Sequence, residues 1–210
     1  MIIPSYKVDV PSLLRPICVD IAYSGMFYVL VDISSLEGLL SPESQVLPAL
    51  SPDNGKFYAR LGAEIREACV AQHPVKHPVD DYTGPDIILL HQTPVRVDPT
   101  RVEVKETVVM QLGESSSMLD RSPCGTGSMA LATKLWHYGV MDEGQVLRTQ
   151  SIVGSRFDTE LREIGKAVGN VDKTLVCRVS GTAHIYSFNK ILLQPDDPFQ
   201  SGFAVSDIWS

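Results

Sequence analysis

The 210-residue sequence contains no Cys-x-x-Cys pair, and its four cysteines, Cys18, Cys69, Cys124 and Cys177, stand far apart. That spread suggests neither a zinc site nor a disulfide framework, so free thiols and no bound metal are expected. No apolar run approaches the roughly 20 residues a membrane helix needs. The first residues, Met1 to Lys7, lack the basic stretch and apolar core of a signal peptide. Basic runs are missing too. With 18 Lys and Arg against 25 Asp and Glu, the net charge is −7, and clustered cations for gripping phosphates are absent. These absences predict a cytoplasmic protein with neither a nucleic-acid nor a membrane partner.

What is present is ordinary for a folded domain: 44% apolar and 20% charged residues, enough to build a core. Short β-rich runs punctuated by Pro or Gly come first, at Tyr6 to Val10, Ile17 to Ala22 and Phe27 to Val31. Ser51-Pro52-Asp53-Asn54-Gly55 offers a cap, after which Tyr58, Leu61, Ile65, Ala68 and Cys69 fall on one face of a helix over Phe57 to Gln72. His73-Pro74 ends it. From His73 to Thr100 the sequence reads as loops around one buried strand, Ile87 to Leu90, and Arg101 to Met110 alternates as a strand should.

A polar loop, Glu114 to Ser117, then leads to Asp120-Arg121-Ser122-Pro123-Cys124-Gly125-Thr126-Gly127. Leu131, Leu135 and Tyr138, with Ala132 and Trp136, keep helical spacing behind it, and Gly139 is a natural stop. Strands are expected again near Gln145 to Ile152, Thr174 to Ser180 and Ala183 to Leu193. The whole reads as α+β, with many strands wrapped around few helices.

The chemistry of the middle segment follows from where it puts Cys124. The first amides of a helix have no internal partners, and the aligned peptide dipoles add about half a positive charge there. A thiolate is stabilised at such a position, and so is a ligand carboxylate. Gly125 and Gly127 keep side chains away from these amides, and Asp120 stands where it can pair with an amine. Thiol, carboxylate holder and amine holder together describe an amino-acid site. A cysteine near a helix start is also often a small buried filler, and spacing alone leaves both readings open. Cys18, Cys69 and Cys177 are read as structural, His73 and His77 as solvated or satisfied, and His137 and His184 have no partner at a suggestive spacing.

The string DRSPCGTG, with Ser151-Ile152-Val153-Gly154-Ser155-Arg156-Phe157 downstream, resembles the second catalytic motif of the proline racemase family. Val19 to Tyr28 resembles a family signature, with Ser24 where the family usually has Gly, and Asp196 to Phe203 resembles the family's C-terminus. The resemblance implies a diaminopimelate-epimerase-like fold of two similar α/β halves facing a cleft. This chain would hold the second half and part of the first: residues 1–30 as remnant strands of the first half, 31–190 as the second half with the DRSPCGTG motif, and 191–210 as a C-terminal segment. It also implies proline racemase, 4-hydroxyproline epimerase or trans-3-hydroxyproline dehydratase chemistry without a cofactor. Proline or hydroxyproline is then the small-molecule substrate and a homodimer is possible. By the same resemblance Cys124 matches an acid/base residue, Gly125 and Thr126 match carboxylate-binding amides, and Asp120 matches a substrate contact.

The family's first motif, Met-Cys-Gly-His, occurs nowhere in this chain. Inversion at Cα without a cofactor needs a base on one face and an acid on the other. Two expectations stand side by side: an enzyme seen incompletely, as a fragment, or a short family member that keeps the fold without turnover. A missing half is further expected to leave apolar strands such as Phe27 to Val31 uncovered and the chain prone to associate. Cysteine at position 124 favours racemase or epimerase over dehydratase.

Overall fold

The structure is a computed structural model that describes residues 2–40, 46–112, 116–166, 171 and 173–200. Within it the chain opens with three strands, β1 (Ile2–Val8), β2 (Ile17–Tyr23) and β3 (Phe27–Asp32), followed by the helix α1 (Gly55–Gln72). A small hairpin, β4 (Val75–Lys76) with β5 (Thr83–Gly84), precedes β6 (Ile87–His91), β7 (Val95–Asp98), β8 (Arg101–Leu112) and β9 (Ser116–Leu119). The second helix, α2 (Gly125–His137), leads into β10 (Val146–Gln150), β11 (Arg156–Gly165) and β12 (Thr174–Gly181).

One ten-stranded sheet carries the architecture, in the order β1-β2-β3-β6-β8-β10-β11-β12, with β7 and β9 also paired to β8. Most neighbours are antiparallel, but β3 with β6 and β8 with β10 are parallel. Parallel neighbours need a crossover, and each crossover holds one helix, α1 in the first and α2 in the second. The two helices cover opposite faces of the sheet. Val29, Val31, Ile88, Leu90 and Val109 pack on the α1 side with Tyr58, Leu61 and Ile65. Tyr28, Leu30, Leu89, Val104 and Val108 pack on the α2 side with Leu131 and Leu135.

This layering explains the hydrophobicity of the central strands. In β3, Phe27 to Val31 is buried on both faces, so a continuous apolar run replaces alternation. The expected exposure of Phe27 to Val31 is therefore corrected: α1 and α2 already sandwich this strand. β8 changes character along its length. Its first half alternates, with Val102 and Val104 buried and Arg101, Glu103 and Lys105 partly exposed, whereas 106–109 is buried throughout where both helices close over it. Gly62 on α1 lets the helix approach β8 closely, since a Cβ there would lie 2.7 Å from Val109 Cγ2.

Other expectations need adjustment. Cys18 lies in β2 but faces solvent, so it is no core filler. Asn54 precedes α1 without a side-chain cap bond and instead donates to the Ala49 carbonyl and Ser51 hydroxyl. Ser116 and Ser117 belong to β9, not a loop, while Gly113, Glu114 and Ser115 lie outside the described residues. The strand expected over Ala183 to Leu193 is absent: the last described strand ends at Gly181, and Ile185, Tyr186, Phe188, Ile191, Leu192 and Leu193 are exposed beyond it. Their apolar pattern suits a strand, yet no described strand lies beside them. Residues 201–210, including the end of the Asp196 to Phe203 match, lie outside the described residues. β3 carries the sheet from β2 on one side to β6 on the other.

Candidate functional site

Cys124 is the N-cap of α2, held in an extended conformation (φ −83°, ψ 126°). Pro123 favours extended backbone before it, and the Cys124 carbonyl accepts the first helical bond from Ser128 N at 2.7 Å. The side chain makes no capping bond, so it does not occupy the free amides of the first turn as a serine or aspartate cap would. Gly125 has open space where a Cβ would stand. Gly127 is the opposite case, since a Cβ there would lie 3.1 Å from Leu89 Cδ1 and 3.4 Å from Tyr28 Cε1. One glycine leaves room for a ligand and the other lets the helix settle on the sheet.

Tyr28, the second residue of β3, reaches this turn. Its hydroxyl lies 3.2 Å from Cys124 Sγ and 2.7 Å from Thr126 Oγ1, and Cys124 Sγ is 3.5 Å from Thr126 Oγ1. Burial and then the thiol bond raise the phenol well above its ordinary range, so it stays protonated. The triangle can serve either state of the sulfur: Tyr28 accepts from a thiol and donates to Thr126, or it accepts from Thr126 and donates to a thiolate.

Ser24, Gly25 and Met26 form the turn between β2 and β3, with Gly25 at φ +93°. Ser24 Oγ donates to the Thr126 carbonyl at 2.7 Å. The residue that departs from the family signature thus ties that turn to the first turn of α2. Asp120, just past β9, donates its backbone N–H to the Val108 carbonyl at 3.1 Å. It is half-buried, and desolvation raises its carboxyl above the usual aspartate range. Its charge is felt at both Tyr28 and Glu106.

The structure therefore brings Cys124, Gly125 and Thr126 together at one helix start, with Asp120 electrostatically coupled to it. Sequence reasoning missed Tyr28 as a partner and missed Glu106 entirely. Glu106 is fully buried on β8, accepts from Ser128 Oγ at 3.3 Å and from the Cys124 backbone N–H, and burial pushes it up to about 8. Its signal was available in the alternation Val102, Val104, Glu106, Val108, where one acid holds an inward phase.

His91 was also missed. It is buried on β6, with Nδ1 2.7 Å from the Gln92 carbonyl and Nε2 3.1 Å from Lys134 Nζ. His73 and His77 are satisfied as expected: His73 Nε2 meets the Lys7 carbonyl at 2.7 Å, and His77 Nδ1 lies 3.1 Å from Asp80 Oδ2. No group of three or more His, Cys, Asp or Glu among the described residues is arranged to hold a metal. No described helix is long and apolar enough to cross a membrane.

The family model described as Proline racemase matches residues 4–204. This chain belongs to the proline racemase family. It is 30% identical to a proline racemase from Acetoanaerobium sticklandii over 200 residues, which is 95% of this chain and 54% of that protein. It is 27% identical over 203 residues to 4-hydroxyproline 2-epimerase 1 of Rhizobium rhizogenes, covering 96% of this chain and 52% of the relative. A solved structure of a probable proline racemase from Agrobacterium radiobacter with bound carbonate superposes with a TM-score of 0.71 at 25% identity, over 98% of this chain and 54% of the other. A hydroxyproline epimerase from Agrobacterium vitis with bound trans-4-hydroxy-L-proline gives a TM-score of 0.71 at 26% identity, with the same coverage. The fold is the diaminopimelate-epimerase-like fold of this family, and the chain spans about half the length of the proline racemase relatives it matches.

Proposed function

We infer that this chain carries one acid/base face of a cofactor-independent racemase or epimerase acting on proline or hydroxyproline, with Cys124 as the acid/base. The observation that carries the reading is the Cys124 thiol at the N-cap of α2, with the Tyr28 hydroxyl, whose ionisation burial disfavours, 3.2 Å away. The names of the relatives, and the hydroxyproline bound in the Agrobacterium vitis structure, support the substrate class.

The substrate carboxylate is held by the amides of Gly125 and Thr126, where the helix dipole favours an anion. Asp120 receives the ring ammonium, whose charge draws the carboxyl back towards its ionised form. The Cys124 thiolate takes the Cα proton, and Tyr28 and Thr126 rotate their hydroxyls to donate towards or accept from the sulfur as it gains or loses that proton. The charge formed on the substrate carboxylate lies on preorganised amides, which lowers the barrier without reorganisation. No metal or cofactor enters this step.

Inversion also requires a proton donor on the far face of Cα. Cys18, Cys69 and Cys177 sit on β2, α1 and β12, and none of them belongs to the α2 turn that carries Cys124. With one thiol, the proton leaves and returns on the same face, so this chain alone exchanges Cα hydrogen with retention. The test is incubation with L-proline in deuterated water, following Cα deuteration and optical rotation together. Deuteration that is lost in Cys124→Ser, without D-proline, supports the reading. D-proline that disappears in the same variant shows a second acid on the opposite face, and activity indifferent to Cys124 removes the assignment.

A further inference from the structure

Glu106 occupies β8 between Val104 and Val108, which point into the α2 core. A valine would continue that pattern, and a buried carboxyl costs stability unless its oxygens are bonded. One oxygen is. Oε1 accepts from Ser128 Oγ at 3.3 Å, Ser128 Oγ lies 2.9 Å from Thr149 Oγ1, and the carboxyl also accepts the backbone N–H of Cys124. Oε2 is sealed from solvent with no hydrogen-bond partner. A buried acid is thus fastened directly to the residue whose thiol faces the site, from behind the helix.

We propose that Glu106 is a positioning residue for Cys124, which holds the amide of that residue and sets the charge at the start of α2 through its own protonation. This rests on the reading of Cys124 as the acid/base. While Glu106 is neutral, the partial positive charge of the helix start serves the thiolate and the substrate carboxylate undiminished. Once ionised, it places an anion one hydrogen bond from the Cys124 amide and opposes both. Burial, partly offset by the Ser128 and Cys124 bonds, raises the carboxyl to about 8, so the change falls just above neutrality. The charged and titratable groups around it are few. Asp120 adds a repulsive charge, and Cys124 is the group it acts upon. His91, its register partner on β6, is kept neutral by burial and by Lys134 of α2. Thr149 on β10 carries no charge.

The test is the pH profile of iodoacetamide alkylation at Cys124, read by mass spectrometry in the unaltered chain and in Glu106→Gln, which keeps the shape and the accepting oxygen but cannot ionise. The expected result is equal rates at pH 6.5 and a variant about three- to tenfold faster at pH 9. Profiles that coincide, or that differ by one constant factor at every pH, overturn the proposal, because a structural role alone would not create a pH-dependent gap. A second measurement stands if Glu106→Gln does not fold. In Cys124→Ala, where the thiol's own titration is gone, the backbone amide resonance at that position is followed from pH 6.5 to 9.5. A shift with a midpoint near 8 is expected, and a flat trace overturns the proposal. Neither readout involves proline or turnover, so its failure is distinct from a failure of the proline reading.

Discussion

Lys134 Nζ, on α2, lies 3.0 Å from Asp20 Oδ2, on β2, and only 14% and 10% of the two side chains reach solvent. Asp20 also accepts from the Ser5 backbone N–H at 3.0 Å and from the Tyr138 hydroxyl at 2.8 Å, so its carboxylate is fully engaged. The strands that open the chain are thereby pinned to the helix that carries Cys124.

Lys134→Met leaves the Asp20 carboxylate buried without its cation and is expected to cost about 3 kcal/mol. Asp20→Asn combined with Lys134→Met recovers part of that loss, which denaturant unfolding of the three variants measures. Burial alone would raise the Asp20 carboxyl, but Lys134 and the three hydrogen bonds outweigh it and hold it below its ordinary value. Its contribution to stability is therefore present above the unfolded carboxylate range, and is lost as pH falls through the depressed folded value.

His91 acts in the same direction as Asp20, at higher pH. Burial first, then the neighbouring Lys134 cation, hold its imidazole neutral well below the usual range. The unfolded chain binds a proton there more readily than the native one, so stability falls as pH drops below about 6.5. His91→Gln is expected to flatten the pH dependence of the unfolding midpoint in that region.

Tyr28→Phe removes the hydroxyl shared by Cys124 and Thr126. Iodoacetamide labelling of Cys124 at pH 7.5 is expected to slow by about three- to tenfold, as befits a lost hydrogen bond of about 1 kcal/mol to a charged sulfur. Unchanged labelling would mean that Tyr28 does not donate to the thiolate.

The four thiols separate by burial. Cys69 is sealed in the α1 core and burial pushes its thiol up to about 12, while burial also raises Cys177. Mass-spectrometric labelling of the folded chain at neutral pH is expected to reach Cys18 and Cys124 and to leave Cys69 untouched until denaturant is added.

The fold class and the cysteine at a helix start were legible because both rest on local rules. α1 shows its buried face at 3.6 spacing in Tyr58, Leu61, Ile65 and Cys69, and DRSPCGTG is a compact string. Less could be read where partners are distant in sequence. Nothing near Tyr28 announces that its hydroxyl meets a sulfur 96 positions later. Ser24 read as a departure from the signature, and its purpose became visible only as a bond to Thr126. Ala183 to Leu193 misled in the other direction, since an apolar run suits a strand but does not supply a neighbour to pair with.

That exposed run makes a prediction of its own. Six large apolar side chains between Ile185 and Leu193 face water, which favours self-association. Replacing Ile185, Tyr186 and Phe188 by Ser is expected to lower the apparent mass in light scattering at high protein concentration while leaving the thermal midpoint unchanged. A variant that associates as before would place the contact elsewhere.

β3, β6 and β8 feed alternate side chains into two cores at once, Val29 and Val31 to one side and Tyr28 and Leu30 to the other. A wall shared in this way conducts disturbance across its thickness. Loosening α1 removes the backing from strands whose reverse face holds the Tyr28 hydroxyl against the sulfur, although α1 packs in the opposite core. Nor can either helix be shed as a separable layer, because each borrows the other's floor. The geometry of the turn that holds Cys124 is thus underwritten by packing on the far side of the sheet, and variation in the α1 core is expected to change the labelling of Cys124 before it is seen as unfolding.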